Sequence, residues 1–190
     1  ILADDMGLGK TIQAMAAVEL MAMERNLERV LVVTPASLKF QWVEEIRKFT
    51  SRQVQVIDGS EKERENAYST PTFYRIVNYD VVKHDLLKLN AWEPDLIILD
   101  EAQNATESQL KMFLTRMGPS AKFIVTGDTT QVDLPKYQPS GLIQATRLLK
   151  NIDGIEFVTL DATDVVRHRL VRDIIHAYDK EPAKEKDTNR

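Results

Sequence analysis

Asp95-Leu96-Ile97-Ile98-Leu99-Asp100-Glu101-Ala102-Gln103 is the stretch on which the fold turns. Four consecutive apolar residues read as a strand buried on both faces, the kind found in parallel sheets covered by helices. Such a strand delivers Asp100 and Glu101 to the carboxyl edge of the sheet, where α/β proteins bind ligands. An Asp-Glu pair alone reads equally well as a solvated strand-to-helix turn, so the surrounding pattern has to decide.

Outward from this stretch, short β-branched or apolar runs alternate with longer amphipathic segments, which predicts an α/β fold with a mainly parallel sheet. The expected strands are Arg29–Thr34, Val54–Ile57, Tyr74–Asn78, Asp95–Asp100, Lys122–Gly127 and Glu156–Leu160, with Ile1-Leu2-Ala3 the stub of another. The expected helices are Lys10–Asn26, Leu38–Phe49, Ser60–Tyr68, Tyr79–Leu89, Glu107–Met117, Gly141–Lys150 and Val165–Lys180. In the helix after Lys10, Ile12, Met15, Ala16, Val18, Leu20 and Met23 make an apolar surface wider than one stripe, so burial is expected there. Thr106 with Gln109 forms a capping box, Gly118-Pro119 ends that helix, and Asp164 is placed to cap the last one. No repeat and no internal linker is visible. The expectation is one domain over residues 1–179, followed by a charged, flexible tail over 180–190.

Composition excludes several function classes. There is no cysteine among the 190 residues, which removes disulfides, thiolate metal sites and cysteine nucleophiles and fits a reducing compartment such as the cytoplasm. The apolar runs are far too short to span a bilayer, and no signal-peptide pattern opens the chain. The chain starts at Ile1 without a methionine, as expected of a fragment. Net charge is -4, with 25 basic and 29 acidic side chains. Any grip on nucleic acid is therefore expected through local patches rather than a whole-protein field.

A second chemical segment, Ala3-Asp4-Asp5-Met6-Gly7-Leu8-Gly9-Lys10-Thr11, lies between a strand stub and a helix. Polyphosphate needs backbone N–H groups turned inward, which Gly7 and Gly9 permit, and it gains from the positive end of the following helix. Met6, Gly7, Leu8, Gly9, Lys10, Thr11 and Ile12 form the expected nucleotide cradle. Lys10 supplies charge for the β- and γ-phosphates, and the Thr11 hydroxyl can ligate Mg²⁺. The generic pattern has glycine where this chain has Asp4. Coupled to this loop, Asp100 is the expected holder of Mg²⁺ and Glu101 the group that orients and deprotonates an attacking water.

Three further pieces matter. In Lys122–Gln131 a strand ends in small and polar residues, so Thr126, Asp128 and Gln131 can reach the same edge. The neutral amide of Gln131 can sense a γ-phosphate without competing for metal. Thr34-Pro35-Ala36-Ser37-Leu38 is either a seat for a nucleic-acid phosphate or a capped connection. Trp42 and Trp92 read as packing residues, and His168 as structural. Arg167, in the first turn of the last helix, reads from spacing as a surface ion pair, with completion of a nucleotide site as the alternative.

Residues 1–103 resemble the first motor lobe of the Snf-type superfamily 2 ATPases. The resemblance rests on Ile1-Leu2-Ala3-Asp4-Asp5-Met6-Gly7-Leu8-Gly9-Lys10-Thr11-Ile12-Gln13, on Val33–Leu38 with Gln41-Trp42, and on Asp100-Glu101-Ala102. Asp4 belongs to that family's version of the loop, whereas Gln103 stands where it usually has histidine. Residues 96–178 resemble the PhoH family of P-loop ATPases. That resemblance rests on Ile98–Asn104, Lys111–Arg116, Val125-Thr126-Gly127-Asp128 with Gln131 and Asp133-Leu134-Pro135, Ser140-Gly141-Leu142, and Asp164–His168. The two meet near 96–104, on the metal-binding strand that both families share. A Thr-Gly-Thr-Pro-like third motif of the first family and the phosphate loop of the second are both absent.

Both resemblances imply a RecA-like, three-layer P-loop NTPase fold that binds ATP with Mg²⁺ and hydrolyses it. The PhoH resemblance places Gln131 at the nucleotide, makes Arg167 a γ-phosphate contact, and implies a homo-oligomeric ring acting on or near RNA or DNA. Two alternatives stand beside this reading. One is a nucleotide-binding module that does not turn over. The other is a nucleic-acid-stimulated translocase lobe that needs a second lobe.

Overall fold

Residues 2–3, 10–118, 120–135 and 137–159 are described by a computed structural model of the chain, residues 2–3 by their backbone. The apolar runs become strands β1 (Leu2–Ala3), β2 (Val30–Thr34), β3 (Val54–Val56), β4 (Tyr74–Asn78), β5 (Leu96–Leu99), β6 (Lys122–Gly127) and β7 (Val158–Thr159). The amphipathic segments become helices α1 (Lys10–Arg25), α2 (Lys39–Phe49), α3 (Glu61–Tyr68), α4 (Tyr79–Ala91), α5 (Glu107–Arg116) and α6 (Gly141–Leu148). The expected helix over 165–180, its Asp164 cap, His168 and the 180–190 tail lie outside the described residues, as does Leu160.

The strands form one sheet in the order β3-β4-β2-β5-β6-β1-β7, and among the described residues every pairing in it is parallel. Strand side chains alternate between faces with period two, so each central strand feeds two cores. Leu31, Val33, Ile97, Leu99 and Val125 pack against Val82 and Leu89 of α4, Leu110 and Phe113 of α5, and Leu142 of α6. Val30, Val32, Ile76, Leu96 and Ile98 pack on the other face against Ala14, Met15 and Val18 of α1 and Trp42, Val43 and Ile46 of α2. The result is helix, sheet, helix.

Local chemistry sets the ends of the helices. Thr106 and Gln109 form the expected capping box at the start of α5, and Ser60 with Glu63 forms another at α3. The expectation for α1 needs correction: Ile12, Leu20 and Met23 are 45%, 60% and 80% exposed. Ala14, Met15 and Val18 are buried against the sheet, with Met21 and Ala22 partly buried beside them, whereas Ile12, Leu20 and Met23 lie on the outward side. Among the described residues, no helix is long and apolar enough to cross a membrane.

Register positions the site. Val33 pairs with Leu99 and Leu99 with Val125, so Thr34, Asp100 and Thr126 follow at one level along three adjacent strands. Ala3 pairs with Gly127, which brings the end of β1 to the same edge beside β6.

Candidate functional site

Asp100 sits at the centre of this edge and is 5% exposed. Its Oδ1 accepts from Thr126 Oγ1 at 2.7 Å, and its Oδ2 accepts from Trp42 Nε1 at 2.8 Å and Thr34 Oγ1 at 3.2 Å. Period two explains the convergence. Thr34 follows Val30 and Val32, Asp100 follows Leu96 and Ile98, and the whole set faces the α1 and α2 layer. The backbone is fixed as well, with Asp100 N–H donating to Val33 O at 2.8 Å and Tyr79 OH donating to Asp100 O at 2.7 Å. Burial first, then the charges of Asp100 and Glu101, push the Tyr79 hydroxyl well above the ordinary tyrosine range, so it stays a donor.

Glu101 turns the chain out of β5 in the left-handed region, at φ 52° and ψ 42°. For a residue with a Cβ this costs about 1 kcal/mol. The turn brings the Glu101 carboxylate, 20% exposed, to the lysine that opens α1: Lys10 Nζ lies 3.9 Å from Glu101 Oε1. Gln103 Nε2 donates to Glu101 Oε2 at 2.6 Å, and Asp128 N–H donates to Gln103 Oε1 at 2.9 Å. Asp128 Oδ1 accepts from Thr130 N–H and Oγ1, whereas Asp128 Oδ2 is buried with no hydrogen-bond partner among the described residues.

Of the residues expected here from sequence, Lys10, Thr11, Asp100, Glu101, Thr126 and Asp128 lie on this edge or on the helix that opens at it. Gln131, partly buried, ends the turn that Asp128 begins, its N–H donating to Asp128 O at 3.3 Å. Ile12 faces outward on α1. Met6, Gly7, Leu8, Gly9 and Arg167 lie outside the described residues. In the hydroxyl-rich turn the Thr34 hydroxyl faces Asp100 and Ser37 is exposed, and no side-chain hydrogen bond caps the 36–38 turn or α2, which corrects the capped-connection reading. Trp42 is indeed packed, at 1% exposure, but it also holds Asp100. The signal that could have found it is that a buried indole N–H needs an acceptor. Gln103 and Tyr79 carried no such sign, since nothing in their spacing points to Glu101 or to Asp100.

Among the described residues, no group of three or more His, Asp or Glu side chains is arranged to hold a metal ion by itself. The donors at this edge are oxygens, the donor type that suits a hard cation.

A family model described as PhoH-like protein matches residues 1–179. The chain belongs to the PhoH family. The match runs through both stretches distinguished in the sequence and makes the fold that of a P-loop NTPase. The PhoH-like protein of Bacillus subtilis is 61% identical over 85 residues, covering 45% of this chain and 27% of the relative. The PhoH-like protein of Mycobacterium tuberculosis is 35% identical over 189 residues, covering 90% of this chain and 50% of the relative. This PhoH-family chain thus spans half or less of the length of these curated relatives. Among solved structures it is similar to the Sulfolobus solfataricus SWI2/SNF2 ATPase core in complex with dsDNA, at 30% identity and TM-score 0.57, covering 69% of this chain and 27% of that one. The Pyrococcus furiosus Hef helicase domain shares the fold at TM-score 0.62 and 22% identity, over 86% of this chain and 35% of that one.

Proposed function

We propose that this chain binds ATP with Mg²⁺ and hydrolyses it. The observation that carries the reading is the meeting of Lys10 with Glu101 beside an Asp100 carboxylate fixed by three donors. The backbone of Met6, Gly7, Leu8, Gly9, Lys10, Thr11 and Ile12 cradles the phosphates at the start of α1. Lys10 gives its charge to the β- and γ-phosphates. The Thr11 hydroxyl and Asp100, the latter through water, would hold the metal. Bound Mg²⁺ supplies neutralisation of the phosphate oxygens. Glu101 orients the attacking water and accepts its proton, Gln131 senses the γ-phosphate, and Arg167 contacts it from the same chain or from a neighbour in a ring.

The test is Mg²⁺-dependent phosphate release beside nucleotide binding, on the wild type and Glu101→Gln. Glu101→Gln should bind ATP and release no phosphate. Equal release from both proteins would overturn the assignment, and tight binding without release from the wild type would favour a non-hydrolysing module.

A second reading, action on nucleic acid, draws on the 30% identity to an ATPase core solved with dsDNA. It expects phosphate release to rise when RNA or DNA is added at low salt and to fall as salt is raised.

A further inference from the structure

Gln103 is 1% exposed and makes two hydrogen bonds in opposite directions. Its Nε2 donates to Glu101 Oε2 at 2.6 Å, and its Oε1 accepts from Asp128 N–H at 2.9 Å. The assignment of the two amide atoms is forced, because the reverse would set oxygen against carboxylate and N–H₂ against N–H. A carboxamide is a rigid plane, so displacement at one end of Gln103 is felt at the other.

The second end lies in the loop that carries Gln131. Asp128 Oδ1 accepts from Thr130 N–H at 2.8 Å and Oγ1 at 2.6 Å, which folds residues 128–130 into a tight turn, and Gln131 N–H closes onto Asp128 O. Farther along, Asp133 N–H donates to Asn104 Oδ1 at 2.8 Å. Two consecutive amides, Gln103 and Asn104, thus grip the loop on either side of Gln131. Gly127 makes room for this grip: a Cβ there would lie 2.7 Å from Gln103 Oε1 and 3.2 Å from Gln103 N.

From this bridge we infer that Gln103 is a positioning residue, which ties the orientation of the Glu101 carboxylate to the state of the 127–131 turn. Lys10 stands at Glu101 Oε1 and Gln103 at Glu101 Oε2. When Lys10 turns to phosphate, Gln103 is the partner that keeps Glu101 aimed, and a shift of Gln131 toward a γ-phosphate reaches Glu101 through it. The consequence for turnover rests on the ATPase reading, whereas the bridge itself does not.

The experiment uses the whole chain with Gln103→Leu, which removes both bonds and leaves an apolar side chain one atom shorter, and Gln103→Glu, which keeps the acceptor and loses the donor. Without nucleotide, the Asp128 amide should exchange about tenfold faster in Gln103→Leu and stay protected in Gln103→Glu. Glu101→Ala should alter that amide in the Gln103 background and leave it unchanged in the Gln103→Leu background. In steady state both Gln103 variants should lose about 10- to 100-fold in kcat, with KM for MgATP changed less than about threefold. Full kcat in Gln103→Glu, a rise in KM matching the fall in kcat, or an Asp128 amide indifferent to Gln103 overturns the inference. If Gln103→Leu does not fold, Gln103→Glu decides by the kcat-against-KM split. If the wild type releases no phosphate, the ATPase reading falls by itself, and the amide cycle decides the bridge.

Discussion

The indole N–H of Trp42 donates to Asp100 Oδ2 across 2.8 Å, so a helix residue of α2 holds the carboxylate at the end of β5. Core packing and site geometry meet in this one side chain. Trp42→Phe keeps most of the packing and removes the donor, leaving Asp100 with Thr34 and Thr126. The expected loss is about 1–2 kcal/mol of stability, read by urea denaturation. The Mg²⁺ concentration for half-maximal phosphate release should rise about three- to tenfold, because about 1 kcal/mol of carboxylate orientation is lost.

Lys10 is 8% exposed and stands at Glu101. Lys10→Ala should weaken ATP affinity by at least about 100-fold, the scale on which a desolvated site depends on a charge-assisted hydrogen bond. Binding of a fluorescent ATP analogue checks it. Affinity within about twofold of wild type would remove Lys10 from the phosphate site.

Gly127 has no room for a side chain, because a Cβ would lie 2.5 Å from Leu142 Cδ2 as well as against Gln103. Gly127→Ala should destabilise the chain by about 1–3 kcal/mol, as overpacked cores do, and slow phosphate release. Thermal denaturation and turnover measured on one preparation check both.

Away from the site, Asp85 is buried at the kink of α4, where it accepts from Arg64 Nε at 2.6 Å and from Tyr68 OH at 3.0 Å. Burial pushes its carboxyl up, but the hydrogen bonds of Arg64 and Tyr68 and the charge of Arg64 outweigh this, so it ionises below the ordinary 3.8. A group whose folded value is lowered adds stability that is full above its unfolded value and is lost as pH falls through the folded one. Loss of the charge-assisted hydrogen bonds in Asp85→Asn should cost about 1–3 kcal/mol at pH 7, since Arg64 keeps access to water. The gap from wild type should close as pH falls below 3.8. Urea midpoints across that range check it.

Particular residues show how far the amino-acid order could be read. Tyr74–Asn78 and Lys122–Gly127 are strands with the bounds their β-branched runs indicate, and the capping box at Thr106 stands where its spacing puts it. Local chemistry decides such features within a few residues. The exposure of Leu20 and Met23 was not legible, because apolar spacing marks a face that can be buried and not whether anything lies opposite it.

The alternation of strands and helices, the parallel character of the sheet, and the placing of Asp100 and Glu101 at the end of a buried strand are all written in the order of the residues. They follow from periodicity and from the direction in which a strand runs. The convergence of Thr34, Trp42 and Thr126 on Asp100, from 66, 58 and 26 residues away in the chain, exists only once the chain has folded. The same holds for the bridge by which Gln103 joins Glu101 to Asp128. Period two tells which face a side chain takes but is silent on the neighbouring strand and its register. Those are set when both cores are packed at once, and they bring distant donors to one carboxylate.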